Sequence, residues 1–232
     1  MRKLYLLPIY LIALLFFVMP TVSAEKTDWS DNTYNFKTIR SALIYDLDFS
    51  QVNLSNDIIA RKLADEYIKK STKPTYITFS AEQLDRKISL EQSIDLDTLK
   101  KTDSEKATTL FAENMSHFVD IYVETHLLSY KIGSYIVPAH TTWQNQTTTD
   151  HYTDSNGRTR DITHTYTIPV YVPDATVTTA VVRLRFDVFN AKTNKVIFSR
   201  EEERVRDNSD DPYGVFSRMT DSFFSDLKNK MQ

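Results

Sequence analysis

The stretch "TTAVVRLRFDVFNAKTNKVIFSREEERV", residues 178–205, predicts more about the fold than any other part of the chain. Apolar side chains at the even positions from Ala180 to Val188 alternate with the charged side chains of Arg183, Arg185 and Asp187. A period of two is typical of a β-strand with one buried face. The segment "AKTN" follows as a turn, and "KVIFSREEERV" returns, so residues 178–205 predict a β-hairpin.

Other elements follow from similar patterns on both sides of this hairpin. Period-two alternation in 117–130 predicts a second long strand, and Ile39–Leu47 predicts an earlier one. Ser55 is a plausible N-cap for an amphipathic helix, and Ser80 with Gln83 has the form of a capping box. The polar residues 91–104 are interpreted as a loop. The last helix is predicted from one apolar stripe, formed by Phe216, Met219, Phe223 and Leu227.

This order of elements predicts the α+β class. We expect an antiparallel or mixed β-sheet with helices packed on one face, a long β-hairpin around 135–172 and a C-terminal helix.

The N-terminus has the pattern of a secretory signal peptide. Arg2 and Lys3 precede an apolar run, and Val22-Ser23-Ala24 supplies the small residues that signal peptidase requires. Residues 1–24 are therefore predicted to be removed between Ala24 and Glu25, which leaves 25–232 as a single α+β domain with a projecting ribbon at 135–172. The predicted location is exported, either periplasmic or extracellular. The alternative is an uncleaved anchor, which would be the chain's only membrane contact.

The composition excludes several kinds of chemistry. The chain has only 3 glycines, far apart, and 0 cysteines. A P-loop, a dinucleotide-binding loop and the G-x-S-x-G nucleophile elbow all need clustered glycines. Thiol catalysis and cysteine-bound zinc need cysteine. The formal charge of −3 comes without a basic block, so no nucleic-acid partner is expected, and no cofactor is predicted.

The stretch "HTTWQNQTTTDHYTDSNGRTRDITH", residues 140–164, holds three of the 5 histidines. Asn156-Gly157 predicts a two-residue type I′ turn. In that register His151 lies opposite Ile162, and His151 and His164 are diagonal neighbours on one face. They are candidate metal ligands, although a catalytic zinc needs three protein ligands.

The favoured interpretation of this stretch is a ribbon rooted in the core by its apolar end, Trp143 to Val172. Its polar tip would bind a partner, because an isolated polar hairpin adds little stability. The candidate contact residues are Tyr152, Asn156, Arg158 and Arg160.

Three segments resemble a known group of proteins. They are "YNFKTIRSALIYDLDF" (34–49), "ATTLFAENMSHFVDIYVETHLLSY" (107–130) and "TAVVRLRFDVFNAKTNKVIFSREEE" (179–203). They are similar to small exported α+β domains of the bacterial envelope. That family is mostly lipoproteins, of unknown function, and is similar in fold to the N-terminal domain of TolB and to the CsgG-like group. The chain departs from the family because it has no lipobox cysteine and carries the long ribbon. The resemblance implies an assembly or accessory role and supplies no catalytic residues.

Three functions remain open from the sequence. The first is an exported, non-enzymatic cell-envelope protein that acts as an interaction or assembly module, with an envelope protein or a second copy as its partner. The second is an extracytoplasmic metal-dependent or carboxylate-based hydrolase that uses His151, His164 and Glu124. The third is a small-ligand or glycan binder that uses tyrosines, namely Tyr122, Tyr130, Tyr135 and Tyr152.

Overall fold

The computed structural model describes residues 22–54, 56–72 and 76–232. The predicted signal peptide therefore lies outside the described residues, except for Val22, Ser23 and Ala24, and its cleavage remains a prediction. Strands and helices are numbered separately along the chain. They are β1 (Val22–Ser30), β2 (Ser41–Ile44), α1 (Asp57–Ser71), β3 (Ile77–Ser80), α2 (Ala81–Gln92), α3 (Leu96–Thr102), α4 (Ser104–Phe118), β4 (Ile121–Val137), β5 (His140–Thr153), β6 (Thr159–Val172), β7 (Ala175–Asn190), β8 (Val196–Asp207) and α5 (Pro212–Met231).

The chain divides into two compact units. Unit 1 contains Met1–Gly133 and Thr179–Gln232, and unit 2 contains Ser134–Thr178. The predicted ribbon, 135–172, falls within unit 2. Whether it projects from the rest of the protein remains a prediction.

Unit 1 is built on a mixed six-stranded sheet in the order β1-β8-β7-β4-β2-β3. Strands β7 and β8 form the predicted antiparallel hairpin, and β1 pairs antiparallel with the outer side of β8. Strand β2 runs parallel to both β3 and β4. The α+β class, the mixed sheet and the C-terminal helix are confirmed.

The helices cover both faces of this sheet, and the expectation that they pack on one face is wrong. Ile121 and Val123 of β4 belong to a buried cluster that includes side chains of α1 and α5. Tyr122, between them in sequence, belongs to a second cluster with side chains of α2, α3 and α4. Successive strand residues point to opposite faces, so the two clusters lie on opposite sides. The sequence pattern missed this because β2 and the start of β4 are buried on both faces.

Side-chain caps set the starts of the helices. The capping box of Ser80 and Gln83 is present at α2, and Asp211 accepts a hydrogen bond from the amide of Gly214 at α5. The N-cap of α1 is Asn56, whose side chain accepts from Ile58 N, so the prediction for Ser55 is wrong. Residues 91–104 are not a loop. They contain α3, which Asp95 caps by accepting from two backbone amides.

A buried arginine ties the edge strand β1 to the core. Arg200 of β8 is only 2% exposed. Its Nε and Nη2 donate to the two carboxylate oxygens of Asp28 in β1, at 2.7 and 3.0 Å. Nη2 also lies 2.9 Å from Oδ2 of Asp226 in α5. Partial burial alone would raise the pKa of Asp28, but the hydrogen bonds and charge of Arg200 outweigh it and lower that pKa.

The C-terminal helix buries its predicted apolar stripe against the sheet. Phe216, Met219, Phe223 and Leu227 are all fully buried. The ring of Phe223 stacks on Phe186 of β7, with 4.0 Å between the ring centroids. The helix is therefore part of the hydrophobic core of unit 1.

Candidate interaction surface

A three-residue loop closes the hairpin of β5 and β6. Asp154 N donates to Arg158 O, and Gly157 N donates to Asp154 O, each at 2.9 Å. Gly157 has a φ of 74°, whereas Asn156 is not among the described residues with positive φ. A type I′ turn needs positive φ at both central residues. The predicted two-residue turn is therefore wrong, and only the glycine takes the left-handed conformation.

The longer loop shifts the register of the two strands by one residue. His151 lies opposite Asp161, and His164 lies opposite Thr148. A shift of one residue moves the side chains of one strand to the other face. His151 and His164 therefore lie on opposite faces of the hairpin, and the prediction that they are neighbours on one face is wrong.

Each histidine has a carboxylate neighbour. Nδ1 of His151 is 2.5 Å from Oδ1 of Asp161, and Nε2 of His164 is 3.7 Å from Oδ2 of Asp150. All four side chains are largely exposed. Within residues 22–54, 56–72 and 76–232, no group of three or more His, Cys, Asp or Glu side chains could hold a metal ion. Each pair supplies one histidine and one carboxylate, fewer than the ligands of a protein zinc site.

One face of the hairpin carries a ladder of threonines, and we call it the threonine face. The hydroxyl oxygens of Thr147 and Thr165 are 3.3 Å apart, and Thr167 donates to Oδ1 of Asn145 at 2.8 Å. Cross-strand pairs of this kind stabilise a two-stranded sheet modestly. The odd-numbered residues of β5 and β6 form this face, and its threonines are Thr141, Thr147, Thr149, Thr153, Thr159, Thr163, Thr165 and Thr167.

The same face carries the two most exposed aromatic side chains of unit 2. Trp143 and Tyr171 are each 69% exposed, and Pro169 lies opposite Trp143. The expectation that Trp143 helps to root the ribbon in the core is therefore wrong. The sequence signal that could have identified them is their position at odd-numbered residues, which form a face that is rich in threonine and has no aliphatic side chain other than that of Pro169.

Charge is confined to the tip of the hairpin. No Asp, Glu, Lys or Arg occurs in 134–149 or in 162–173, whereas the intervening residues include two arginines and three aspartates. Unit 2 also has seven exposed large hydrophobic side chains, half of those in the described chain. They are Tyr135, Ile136, Trp143, Tyr152, Ile162, Tyr166 and Tyr171. Exposed apolar side chains in one region mark interaction sites on soluble proteins.

The four candidate contact residues lie around the tip. Tyr152 is 43% exposed and lies opposite Arg160. Nε of Arg160 is 3.4 Å from Oδ2 of Asp154. Oδ1 of the same Asp154 accepts from the backbone amides of Asn156 and Arg158. Asp154, which the sequence did not single out, therefore organises the tip.

The residues of the hydrolase hypothesis are divided between the two units. Glu124 belongs to unit 1, whereas His151 and His164 belong to unit 2. In unit 1, His126 Nδ1 lies 2.8 Å from Oδ2 of Asp48. The hydroxyl of Ser50 donates to that same oxygen, so serine and histidine do not form the contact that a catalytic triad requires. Hydrogen bonding from His126 lowers the pKa of Asp48.

The tyrosines of the ligand-binding hypothesis are also in different settings. Tyr122 is buried between Phe189, which stacks on it, and Tyr45, which meets it edge-on, and burial raises its pKa to about 12. Tyr130 is half-buried, whereas Tyr135 and Tyr152 are exposed. These four side chains do not line one surface of a single unit.

Comparisons with known proteins found little beyond a distant structural likeness. No family model and no curated protein matches the chain. A single-substitution variant of the PelC dodecamer from Paraburkholderia phytofirmans aligns with a TM-score of 0.44 and 7% identity, over 89% of this chain and 98% of that chain. A second PelC dodecamer from this organism aligns with a TM-score of 0.42 and 9% identity, again over 89% of this chain and 98% of that chain. The lipoprotein GNA1162 from Neisseria meningitidis aligns with a TM-score of 0.29 and 10% identity, over 82% of this chain and 98% of that chain. These similarities assign neither a family nor a function.

None of the helices in the described part of the chain is long and apolar enough to cross a membrane.

Proposed function

We propose that this protein is an exported, non-enzymatic interaction module of the cell envelope. Its binding element is the hairpin of β5 and β6, which presents its faces and outer edges to a partner. Export rests on the predicted signal peptide, and the interaction role rests on the hairpin.

The observation that carries the proposal is that this hairpin forms a separate sheet of its own. It forms a sheet of only two strands, each of 14 residues, and no further strand pairs with either outer edge among the described residues. Unpaired strand edges and exposed aromatic side chains are the features that proteins normally cover or protect with charge. Here most of the edge carries no charge, so the hairpin is suited to binding another polypeptide.

A catalytic role has less support. The candidate histidines lie on opposite faces of the hairpin, and each pairs with a single aspartate. A general acid or base must lie within hydrogen-bonding reach of a substrate held in a concave site. The exposed, two-stranded hairpin supplies no such enclosure.

Site-specific photo-crosslinking in cells tests the proposal. A photoreactive amino acid replaces Tyr152 or Trp143 in the full-length protein, and cells are irradiated before fractionation. We expect discrete protein adducts in the envelope fraction, identified by mass spectrometry. The matched control places the same amino acid at Leu90, a more exposed apolar position in unit 1.

Two results would overturn the proposal. Retention of the protein in the cytoplasm would remove the envelope role. Adducts at Leu90 with none at Tyr152 or Trp143 would place the binding surface in unit 1.

A further inference from the structure

We propose that the partner of the hairpin is a second copy of this chain, paired antiparallel along the outer edge of β5 at Thr141–Thr149. The two hairpins would then form one four-stranded sheet in the order β6-β5-β5-β6. This inference rests on the proposed interaction role and adds the identity of the partner.

The outer edge of β5 lacks the features that prevent strand pairing. Proteins protect edge strands with charged residues, prolines, bulges or short length. From Thr141 to Thr149 the strand has no charged residue, no proline and no glycine. Its pairing with β6 is regular over all 14 residues, without a bulge. Its backbone is therefore extended and ready to accept another strand.

The edge of β6 is less suited to pairing. Pro169 lies within β6, opposite Trp143, and has no amide to donate. Proline is tolerated in a sheet where the missing amide would face away from the neighbouring strand. In an antiparallel pair every second residue has this outward orientation, so the odd-numbered amides of β5 and β6 face outward. The edge of β6 lacks an amide donor at Pro169, whereas the edge of β5 from Thr141 to Thr149 has all of its outward-facing amide donors.

The ionisable groups that flank this segment favour a register centred on Asn145. Two identical strands that pair antiparallel are related by a two-fold axis. If this axis passes through Asn145, Thr141 lies opposite Thr149 of the second copy, and Trp143 lies opposite Thr147. The first ionisable groups beyond this segment are His140 and Asp150, and they then lie opposite each other. An axis through Asp150 would instead oppose two carboxylates, which destabilises a strand pair.

Cysteine crosslinking tests the pairing on a clean background, because the chain has no cysteine. Directly opposed residues of a hydrogen-bonded antiparallel pair have Cα atoms about 5.5 Å apart, within the range of a disulfide. The Asn145→Cys variant of the full chain should form a disulfide-linked dimer under mild oxidation. The matched control is Thr167→Cys, on the same face but on β6, about three strand spacings from its counterpart. It should stay monomeric on a denaturing gel.

A charge exchange provides the second readout. Asn145→Lys and Asn145→Asp should each weaken self-association about fivefold in sedimentation velocity, because like charges would be directly opposed. Mixing the two variants should restore association, because opposite charges then meet. Thr167→Lys carries the same charge on the neighbouring strand and should associate like the unaltered protein.

The outcomes separate this inference from the proposed function. Crosslinking of the Thr165→Cys variant with none of the Asn145→Cys variant would assign the contact to β6 and contradict pairing along the edge of β5. A protein that stays monomeric and forms no Asn145→Cys dimer would overturn the second copy as the partner. Adducts with other proteins at Tyr152 or Trp143 would still support the interaction role.

Discussion

Arg200 donates two hydrogen bonds to the carboxylate of Asp28, which lies 172 residues earlier in the chain. This contact joins the exposed side of β1 to a buried side chain of β8, in addition to the backbone pairing of the two strands. Nη1 of Arg200 has no hydrogen-bond partner in the described part of the chain. The arginine therefore depends on Asp28 and Asp226 for its pairing.

We expect Asp28→Asn to destabilise the protein by about 1–2 kcal/mol at neutral pH, because a buried guanidinium loses charged hydrogen bonds. Urea unfolding measures the change, and Thr27→Ser on the same strand is the control. The folded state lowers the pKa of Asp28 below its ordinary value of 3.8. The stabilisation is therefore present above that value and is lost as the pH falls through the lowered pKa. The variant and the unaltered protein should converge in stability in acid, and a constant difference at all pH values would contradict this account.

The stacking of Phe223 on Phe186 predicts that α5 is essential to the fold. Phe223→Ala should cost about 3–5 kcal/mol of unfolding free energy, because it leaves a cavity at a fully buried site. Ser225→Ala, at an exposed position of the same helix, should change stability by less than about 0.5 kcal/mol. Deletion of 213–232 should leave an aggregating or protease-sensitive chain. A truncated protein that melts cooperatively near the full-length temperature would show that the helix is dispensable.

Zinc should not stabilise the protein through its histidine pairs. His151 and His164 lie on opposite faces, so one ion cannot bind both side chains of one hairpin. We expect the melting temperature to be the same with added zinc and with a chelator. A rise with zinc that His151→Ala or His164→Ala removes would contradict this expectation.

Shortening the hairpin should leave the stability of unit 1 unchanged. Deleting 148–153 together with 159–164 removes six residues from each strand and keeps both the turn and the register. Since an even number is removed, every remaining side chain keeps its face. The melting temperature measured by calorimetry should stay nearly constant, while adduct formation from Trp143 should decrease. Unfolding of the shortened protein would show that the hairpin is needed for the fold.

N-terminal sequencing of the exported protein should begin at Glu25. An intact mass that includes residues 1–24 would instead show a retained anchor. The Ala24–Glu25 bond lies within β1, where Ala24 pairs with Arg204 and Glu25 with Glu203. We therefore expect cleavage only of chains in which β1 has not yet paired.

The sequence predicted the elements whose burial is one-sided. The stripe of Phe216, Met219, Phe223 and Leu227 and the alternation of β7 from Ala180 to Phe186 are both confirmed, because each has a single buried face. The second helical layer was not predicted. Its signal is the burial of neighbouring residues such as Ala42 and Leu43, which removes the alternation that marks a half-exposed strand.

The hairpin shows how one turn residue controls a site prediction. Asn156-Gly157 correctly placed the turn, but the sequence does not distinguish a two-residue loop from a three-residue loop. The capping of two amides by Asp154 favours the longer loop. The one additional residue in the loop changes which side chains lie opposite each other, so that His151 lies opposite Asp161 instead of Ile162.

The position of β1 beside β8 also has a consequence for the order of folding. Its pairs run from Val22 with Arg206 to Ser30 with Phe198, so each joins residues separated by most of the chain. Such contacts raise the contact order, and closing long loops slows folding. A chain made from its N-terminus cannot complete this sheet until nearly all of it has been synthesised. The topology therefore leaves β1 without its partner strand until β8 has been synthesised.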